Sequence, residues 1–251
     1  MLNKVSALFL AVGVVGFSQA EPWKGNVDLG WTTNSGNSET TSLNGHLGLE
    51  NENDAWKHAL NLKGNGNTSE NDGVDETTAE KYSAEWKSDR KLGDRHYLFG
   101  VLNYSDDRFS GYDFESGAAL GYGYKVIAEE TKTLMFELGP GYRHNLLSAD
   151  NRLAGSSAHV EEFTYRIGEG FDWKFSETSE LKQYVTFDGG SDLNTLKLGA
   201  YVLSKLSEAL SLKVGFDQTQ RSGDAQDDAE RVNPELDDTD TTTYANISYS
   251  F

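Results

Sequence analysis

Acidic side chains are concentrated near the C-terminus, where they could bind a cation. Eight carboxylates lie between positions 221 and 240 with only Arg221 and Arg231 among them. Clustered carboxylates can coordinate calcium or magnesium, but the ligand spacing of an EF-hand loop is absent. A solvated acidic loop is therefore the stronger interpretation, and no cofactor is predicted. The residues that would hold a cation are Asp224, Asp227, Asp228 and Glu230.

Histidines are a second group of residues that could do chemistry. The five histidines are scattered, but His144 and His159 flank one polar segment that contains Asp150. A hydrolase needs histidine together with a hydroxyl or a carboxylate on neighbouring elements. Cysteine nucleophiles and cysteine-bound metals are excluded because the chain has no cysteine. We predict that the chain is not an enzyme, with a hydrolytic site at His144 and His159 as the alternative.

Charged residues also recur at alternate positions through most of the chain, opposite apolar residues. If the apolar positions face lipid, the charged positions face an enclosed lumen. They could line a polar pore and set its selectivity, or they could pair across strands as a structural core without a pathway. The candidate pore-lining residues are Lys24, Lys57, Lys63, Lys81, Glu85, Glu115, Glu137, Arg143, Arg166, Lys182, Lys197, Lys213 and Asp217.

Twelve alternating segments would position these residues, and an even strand count is typical of single-chain bacterial barrels. In the fifth segment, Tyr97, Phe99 and Val101 are expected to face outward, although Leu98 and Leu102 make that face ambiguous. The pattern predicts an all-β protein, an antiparallel up-and-down transmembrane β-barrel. Its strands are predicted at 23–33, 40–49, 56–65, 79–87, 95–104, 113–124, 133–143, 160–172, 180–188, 195–205, 210–220 and 241–251.

The connections between these segments alternate in length. Tight links follow strands two, four, six, eight and ten, and the first and ninth links are intermediate in length. The links predicted at 66–78, 105–112, 144–159 and 221–240 are longer and polar. Short turns at one rim and long loops at the other are typical of outer-membrane barrels, with the short turns in the periplasm. Because the strand count is even, both termini are predicted to lie at the periplasmic rim.

The last strand carries a second indication of location. Phe251, Tyr249 and Ile247 share one face of an extended strand, and a terminal Phe after alternating apolar residues resembles the assembly signature of outer-membrane barrels. We therefore expect Tyr249 and Phe251 to bind the barrel assembly machinery. Aromatic residues at strand ends indicate interfacial girdles, so membrane lipid and lipopolysaccharide are expected partners of a monomeric barrel.

The N-terminus has the layout of a cleaved signal peptide. Lys4 precedes an apolar run and a small-residue exit that ends at Ala20. The run is too short for a spanning helix, which takes about 20 residues. Residues 1–20 are therefore predicted to be removed, which leaves 21–251 as one barrel domain. The formal net charge of −18 argues against nucleic acid as a partner.

Several segments resemble a known family. The stretch from Trp23 to Gly30, the run from Ser35 to Thr41, and Gly139-Pro-Gly-Tyr-Arg143 are similar to the YdiY-like family of salt-induced outer membrane proteins. The resemblance covers nearly all of 21–251 and implies an outer-membrane barrel of undefined role, without catalytic residues. A small channel or an envelope and salt-stress adaptation protein is the leading hypothesis. A closed barrel that binds a ligand or cations through acidic loops, and a hydrolase at the rim, are the alternatives.

Overall fold

The fold is a closed antiparallel β-barrel in which each strand pairs with its neighbours in chain order and β12 pairs with β1. The computed structural model describes residues 22–34, 39–71, 74–152, 157–234 and 236–251. The predicted fold class and strand number are confirmed. The strands are β1 (Lys24–Asn34), β2 (Glu39–Glu52), β3 (Trp56–Asn71), β4 (Val74–Lys91), β5 (His96–Asp107), β6 (Tyr112–Ala128), β7 (Lys132–Leu147), β8 (His159–Lys174), β9 (Ser179–Gly189), β10 (Asn194–Lys205), β11 (Leu210–Ser222) and β12 (Thr239–Ser250).

Two short helical elements lie in the connections, a 3-10 turn (Ala149–Asn151) and helix α1 (Asp224–Val232). Among the described residues, no helix is both long and apolar enough to span a bilayer. The predicted signal peptide, 1–20, lies outside the described residues. We call the end of the barrel with the tight links the short-turn rim and the opposite end the long-loop rim.

The barrel turns its apolar side chains outward, as the alternating pattern predicts. Phe163 is 85% exposed and Leu120 is 66% exposed, whereas Asp28 and Ser248 on the inner face are fully buried. Successive residues of a strand point to opposite faces, so this inversion of the usual pattern extends along the strands. A closed sheet with an apolar outer surface satisfies its backbone internally and can face lipid.

The outward face predicted for β5 is wrong. Tyr97, Phe99 and Val101 are each 3% exposed and point into the barrel, whereas Leu98 and Leu102 are 48% and 61% exposed. The three inward residues form an apolar cluster with Ala119 and the partly buried Met135.

Glycines on the neighbouring strand β6 explain this arrangement. A Cβ atom at Gly123 would lie 2.1 Å from the Tyr97 ring, and one at Gly121 would lie 2.8 Å from the Phe99 ring. Because glycine has no side chain, the two rings can pack directly against the inner wall of β6.

The long connection predicted at 66–78 is also wrong, because most of it is strand. The β3–β4 ladder continues from Gly66↔Glu80 to Asn71↔Val74. Residues 66–78 contain one large apolar residue, Val74, so the alternating pattern gives no signal there. Backbone hydrogen bonds between strands form without apolar side chains. The β3–β4 hairpin can therefore extend beyond the part of the barrel that has an apolar outer surface.

Candidate functional site

Charged side chains predicted to line the lumen lie on the inner face of the barrel, where most of them contact an opposite charge. Lys63 Nζ lies 2.7 Å from Asp217 Oδ2, and Tyr184 donates a 2.9 Å hydrogen bond to the same carboxylate. Since β3 and β11 are not neighbours in the sheet, the Lys63–Asp217 pair crosses the lumen. Arg166 donates two hydrogen bonds of 2.8 Å to Asp188 on the adjacent strand.

Arg143 holds the β9–β10 turn in the barrel mouth. It donates a 2.7 Å hydrogen bond to Glu162 and another to the carbonyl of Leu193. Glu162 in turn accepts a 2.8 Å hydrogen bond from the backbone N–H of Asp192. The pair is buried at 7% and 4% side-chain exposure, so it fixes a turn against the lumen instead of presenting a free charge to solvent.

Asp28 is the centre of a second buried group. Its carboxylate lies 2.8 Å from Lys213 Nζ and 2.8 Å from His46 Nδ1, while His46 Nε2 lies 3.0 Å from Asn61 Oδ1. His46 was not among the predicted lumen residues. The available signal was its position in the alternating pattern of β2, where it shares the inner face.

Arg221 forms the third group, at the long-loop rim. It is 2% exposed, donates hydrogen bonds of 3.1 and 2.7 Å to Glu115, and donates one of 2.7 Å to Asp240. The sequence placed Arg221 in the acidic loop, but β11 continues to Ser222 and brings it inside the barrel. The Glu115 contact crosses from β11 to β6 and narrows the lumen.

The inner apolar cluster of β5 is also tied to charge. Lys87 contacts Glu137, and the Tyr97 hydroxyl donates a 2.8 Å hydrogen bond to the same carboxylate. Lys87 Nζ lies 5.6 Å from the ring centroid of Tyr97 and 5.7 Å from that of Phe99. Aromatic faces attract cations at this range, so the cluster and the ion pair occupy one side of the lumen together.

The other predicted lumen residues divide into paired and unpaired sets. The paired ones are Lys57 with Glu50 at 3.1 Å, Lys81 with Asp107 at 3.0 Å, and Lys182 with Glu180 at 3.9 Å. Within the described part of the chain, Lys24, Glu85 and Lys197 have no opposite charge within 4.0 Å. Among the predicted lumen residues, these three and the exposed part of Lys63 are the charges left for a mobile ion.

The short-turn rim opens into a vestibule, a cavity of about 530 Å³. Turn residues such as Asp94 and Glu130 line its mouth, and Lys87 and Tyr97 lie in its wall. Seven lysines and seven carboxylates line it, so the vestibule is polar and balanced although the whole chain is strongly acidic. Further in, the cavity beside Arg143 and Arg166 has only about 40 Å³, which is room for a few water molecules.

At the long-loop rim an apolar cluster, which we call the plug, fills the barrel mouth on the side of β6 to β10. Tyr112, Leu147 and Val160 point inward from the strand ends and pack with Leu193 and Ala229, each 7% exposed or less. Ala229 belongs to helix α1, and the backbone N–H of Ala225 at its first turn donates a 3.0 Å hydrogen bond to the carbonyl of Asp192. The helix was not predicted, and it packs against this cluster at the mouth that a pore would need.

The four carboxylates considered as cation ligands lie on this helix. Asp224 and Asp227 occupy its first turn, where carboxylates are favoured by the helix dipole. Asp228 accepts a 2.8 Å hydrogen bond from Arg231, and Glu230 accepts one of 3.0 Å from Gln226. Among the described residues, these carboxylates do not converge as a group of three potential ligands. Helix stabilisation therefore explains their clustering better than a metal site does.

The two rim histidines do come together, but with a different carboxylate. His144 and His159 lie with ring centroids 5.2 Å apart, and His144 Nδ1 lies 2.9 Å from Glu161 Oε1. Asp150 lies outside this group. The Ser116 hydroxyl, across the ladder from His144, donates a 2.6 Å hydrogen bond to the His144 carbonyl. In a hydrolase the hydroxyl would instead hydrogen-bond to the imidazole.

Comparisons with known proteins agree with this architecture. The chain is 28% identical to the uncharacterized protein YdiY of Escherichia coli (strain K12) over 237 residues, 93% of this chain and 85% of that one. An outer membrane channel from Pseudomonas putida F1 has a similar fold at a TM-score of 0.50 and 12% identity, covering 95% of this chain and 97% of that one. The NanC porin aligns at a TM-score of 0.47 and 12% identity over 90% of this chain and 96% of its own. A family model described as "Protein of unknown function, DUF481" matches residues 27–251. The chain therefore belongs to this family, and its own structure is an outer-membrane-type β-barrel, which confirms the predicted resemblance.

Proposed function

We propose that the protein is a small outer-membrane channel for ions or small hydrophilic solutes and that the plug closes its long-loop rim. The observation that carries this proposal is the inner face itself. Charges of both signs continue from the vestibule of about 530 Å³ toward the plug. A barrel whose inner charges served only as a structural core would not require a vestibule of this size.

One connection accounts for the closure. The plug depends on Ala229 and Leu236 from the segment between β11 and β12, so a displacement of that segment would uncover the mouth without breaking a strand pair. Ion pairs that cross the lumen, such as Lys63–Asp217, would then set the ion preference. The channel proposal therefore predicts a small conductance that increases when α1 is removed.

Conductance of the refolded mature protein in a planar bilayer tests this proposal. Replacing 224–232 by a Gly-Ser linker should raise the size or the lifetime of the openings. Lys63→Glu should shift the reversal potential in a salt gradient toward cations, whereas Lys205→Glu, an exposed residue at the end of β10, should leave it unchanged. A silent bilayer with both the wild type and the linker variant, while heat-modifiable migration proves folding, would contradict a channel.

The closed long-loop rim also favours a second candidate, a barrel that binds a ligand in its vestibule. In that case the linker variant would remain silent, and solutes would protect an introduced cysteine at the vestibule, such as Thr133→Cys, from labelling. The chain has no native cysteine to interfere. Neither candidate involves catalysis, and we propose no enzymatic activity.

The same proposal includes location and partners. Residues 1–20 would be removed on export, the long-loop rim would face the cell exterior, and both termini would face the periplasm. Tyr249 and Phe251, which are exposed on the outer face of the last strand, would be recognised by the barrel assembly machinery. Membrane lipid and lipopolysaccharide would surround a monomer.

A further inference from the structure

Three potential metal ligands meet on the outer surface of the barrel at the long-loop rim. In the β7–β8 ladder, His144 is directly opposite Glu161, and His159 is opposite Leu146. Since residues two apart share a face, His159 and Glu161 project on the same side as His144. One donor atom from each of the three lies within 4.8 Å of the other two.

The donor set indicates the class of metal. Two imidazoles with one carboxylate suit zinc and neighbouring transition metals, whereas calcium and magnesium prefer oxygen ligands alone. Zinc bonds to nitrogen and oxygen are about 2.0–2.2 Å long, so two ligands of one ion lie at most about 4.4 Å apart. His144 Nδ1 and Glu161 Oε1 already lie 2.9 Å apart, and the side chains are 38% and 48% exposed, so both have room to rotate toward a shared ion.

Neighbouring side chains hold the site in place. Phe114 stacks on the His144 ring at a centroid distance of 5.4 Å and an interplanar angle of 5°, and the Ser116 hydroxyl is bonded to the His144 carbonyl. Both ligand-bearing strands belong to the closed sheet, so the backbone of the site is fixed before any metal binds. Such preorganisation reduces the entropy lost on binding.

We propose that His144, His159 and Glu161 form a binding site for a divalent transition metal, with zinc as the first candidate. Three protein ligands leave a fourth position for water or an external donor. Tyr142 and Phe163 pair one step closer to the barrel centre, with ring centroids 5.6 Å apart. The metal would therefore lie just above an aromatic girdle, at the boundary between lipid and water. The site is independent of the lumen and of the proposed channel.

Metal titration of the refolded mature protein, without a polyhistidine tag, tests this site. Calorimetry with Zn²⁺ should give one ion per barrel, and Co²⁺ should give the visible absorption bands of a four-coordinate ion. His144→Gln, His159→Gln and Glu161→Gln should each weaken binding at least about tenfold, since even outer-shell changes reach that size. The matched control is His58→Gln, an outward histidine whose Nδ1 lies 2.7 Å from Ser88 Oγ, and it should not change the affinity.

Two results would overturn the proposal. The first is a wild-type barrel that binds no more Zn²⁺ than the His144→Gln/His159→Gln double variant, because the 2.9 Å contact with Glu161 would then be an ordinary hydrogen bond. The second is displacement of the bound Zn²⁺ by excess Ca²⁺, which would assign the ion to acidic loops. Heat-modifiable migration of every variant verifies that loss of binding is not loss of folding.

Discussion

At the scale of single residues, this barrel is stabilised by charges on its inner face whose partners are far apart in sequence. Lys63 and Asp217 are 154 positions apart, and Asp28 and Lys213 are 185 positions apart. The sequence could place each residue on the inner face through its alternation with apolar neighbours. It could not pair them, because the contacts across a lumen depend on closure and strand tilt, which alternation does not encode.

Asp28→Asn should destabilise the barrel. The substitution removes the charge that Lys213 needs while the lysine side chain remains 9% exposed, and breaking a buried pair costs about 3 kcal/mol. We expect a lower urea midpoint for unfolding of the refolded protein, with Asp237→Asn, an exposed position, as the control. Equal midpoints for the two variants would mean that water reaches Lys213.

At the scale of elements, the fit between β5 and β6 decides which face of β5 turns inward. Both faces of β5 are apolar, so hydrophobic alternation alone left the orientation ambiguous. The deciding signal lay on another strand, in the inner-face glycines of β6 beside the Tyr97 and Phe99 rings. Helix α1 was missed for a related reason. Its segment is mostly polar, and Ala225 and Ala229 reveal an apolar face only when the barrel mouth is there to receive it.

Gly123→Ala should disrupt this fit, since the added Cβ would lie 2.1 Å from the Tyr97 ring. Overpacking of this kind costs about 1–3 kcal/mol. Gly100→Ala on β5 is the matched control, because a Cβ there meets nothing within 4 Å. We expect a lower midpoint of urea unfolding for Gly123→Ala only.

A double variant separates this clash from other effects. Tyr97→Ala removes the ring, so Gly123→Ala should cost little in that background, and the two changes should be strongly non-additive. Additive costs would show that the glycine is needed for backbone geometry and not for the space it leaves.

At the scale of the whole molecule, charge is distributed unevenly. The vestibule has equal numbers of lysines and carboxylates, while the segment at 222–240 has eight carboxylates and one arginine. The acidic excess that the composition revealed is therefore concentrated at the long-loop rim. The sign of this charge excess was predictable from the sequence. Its location beside the plug could be known only from the fold.

Single-cysteine labelling should reveal which rim faces the cell exterior. Asp237→Cys at the long-loop rim should react with a membrane-impermeant maleimide in intact cells. Glu177→Cys, in the exposed β8–β9 turn at the other rim, should react only after lysis. The reverse pattern would invert the proposed orientation.

The acidic rim should also make ion preference depend on salt. Exposed charges are screened within about 10 Å at 0.1 M ionic strength, so a channel with this rim should favour cations more at low salt than at 1 M. Reversal potentials at the two concentrations measure this, and an Asp224→Asn/Asp227→Asn/Asp228→Asn variant should reduce the difference. An unchanged difference would locate selectivity in the lumen.

The pairing of the first strand with the last has a consequence for assembly of the barrel. β1 and β12 are joined by a short register, from Asn26↔Ser250 to Leu29↔Ile247, and by two 2.9 Å backbone hydrogen bonds between Gly25 and Phe251. Until β12 arrives, every intermediate has two unpaired sheet edges, which invite association with other chains. Pairing of β12 with β1 is therefore the step that ends this exposure. A chain that lacks its twelfth strand keeps unpaired edges, which leave it prone to aggregation and accessible to proteases, whereas the complete set of strands leaves no edge unpaired.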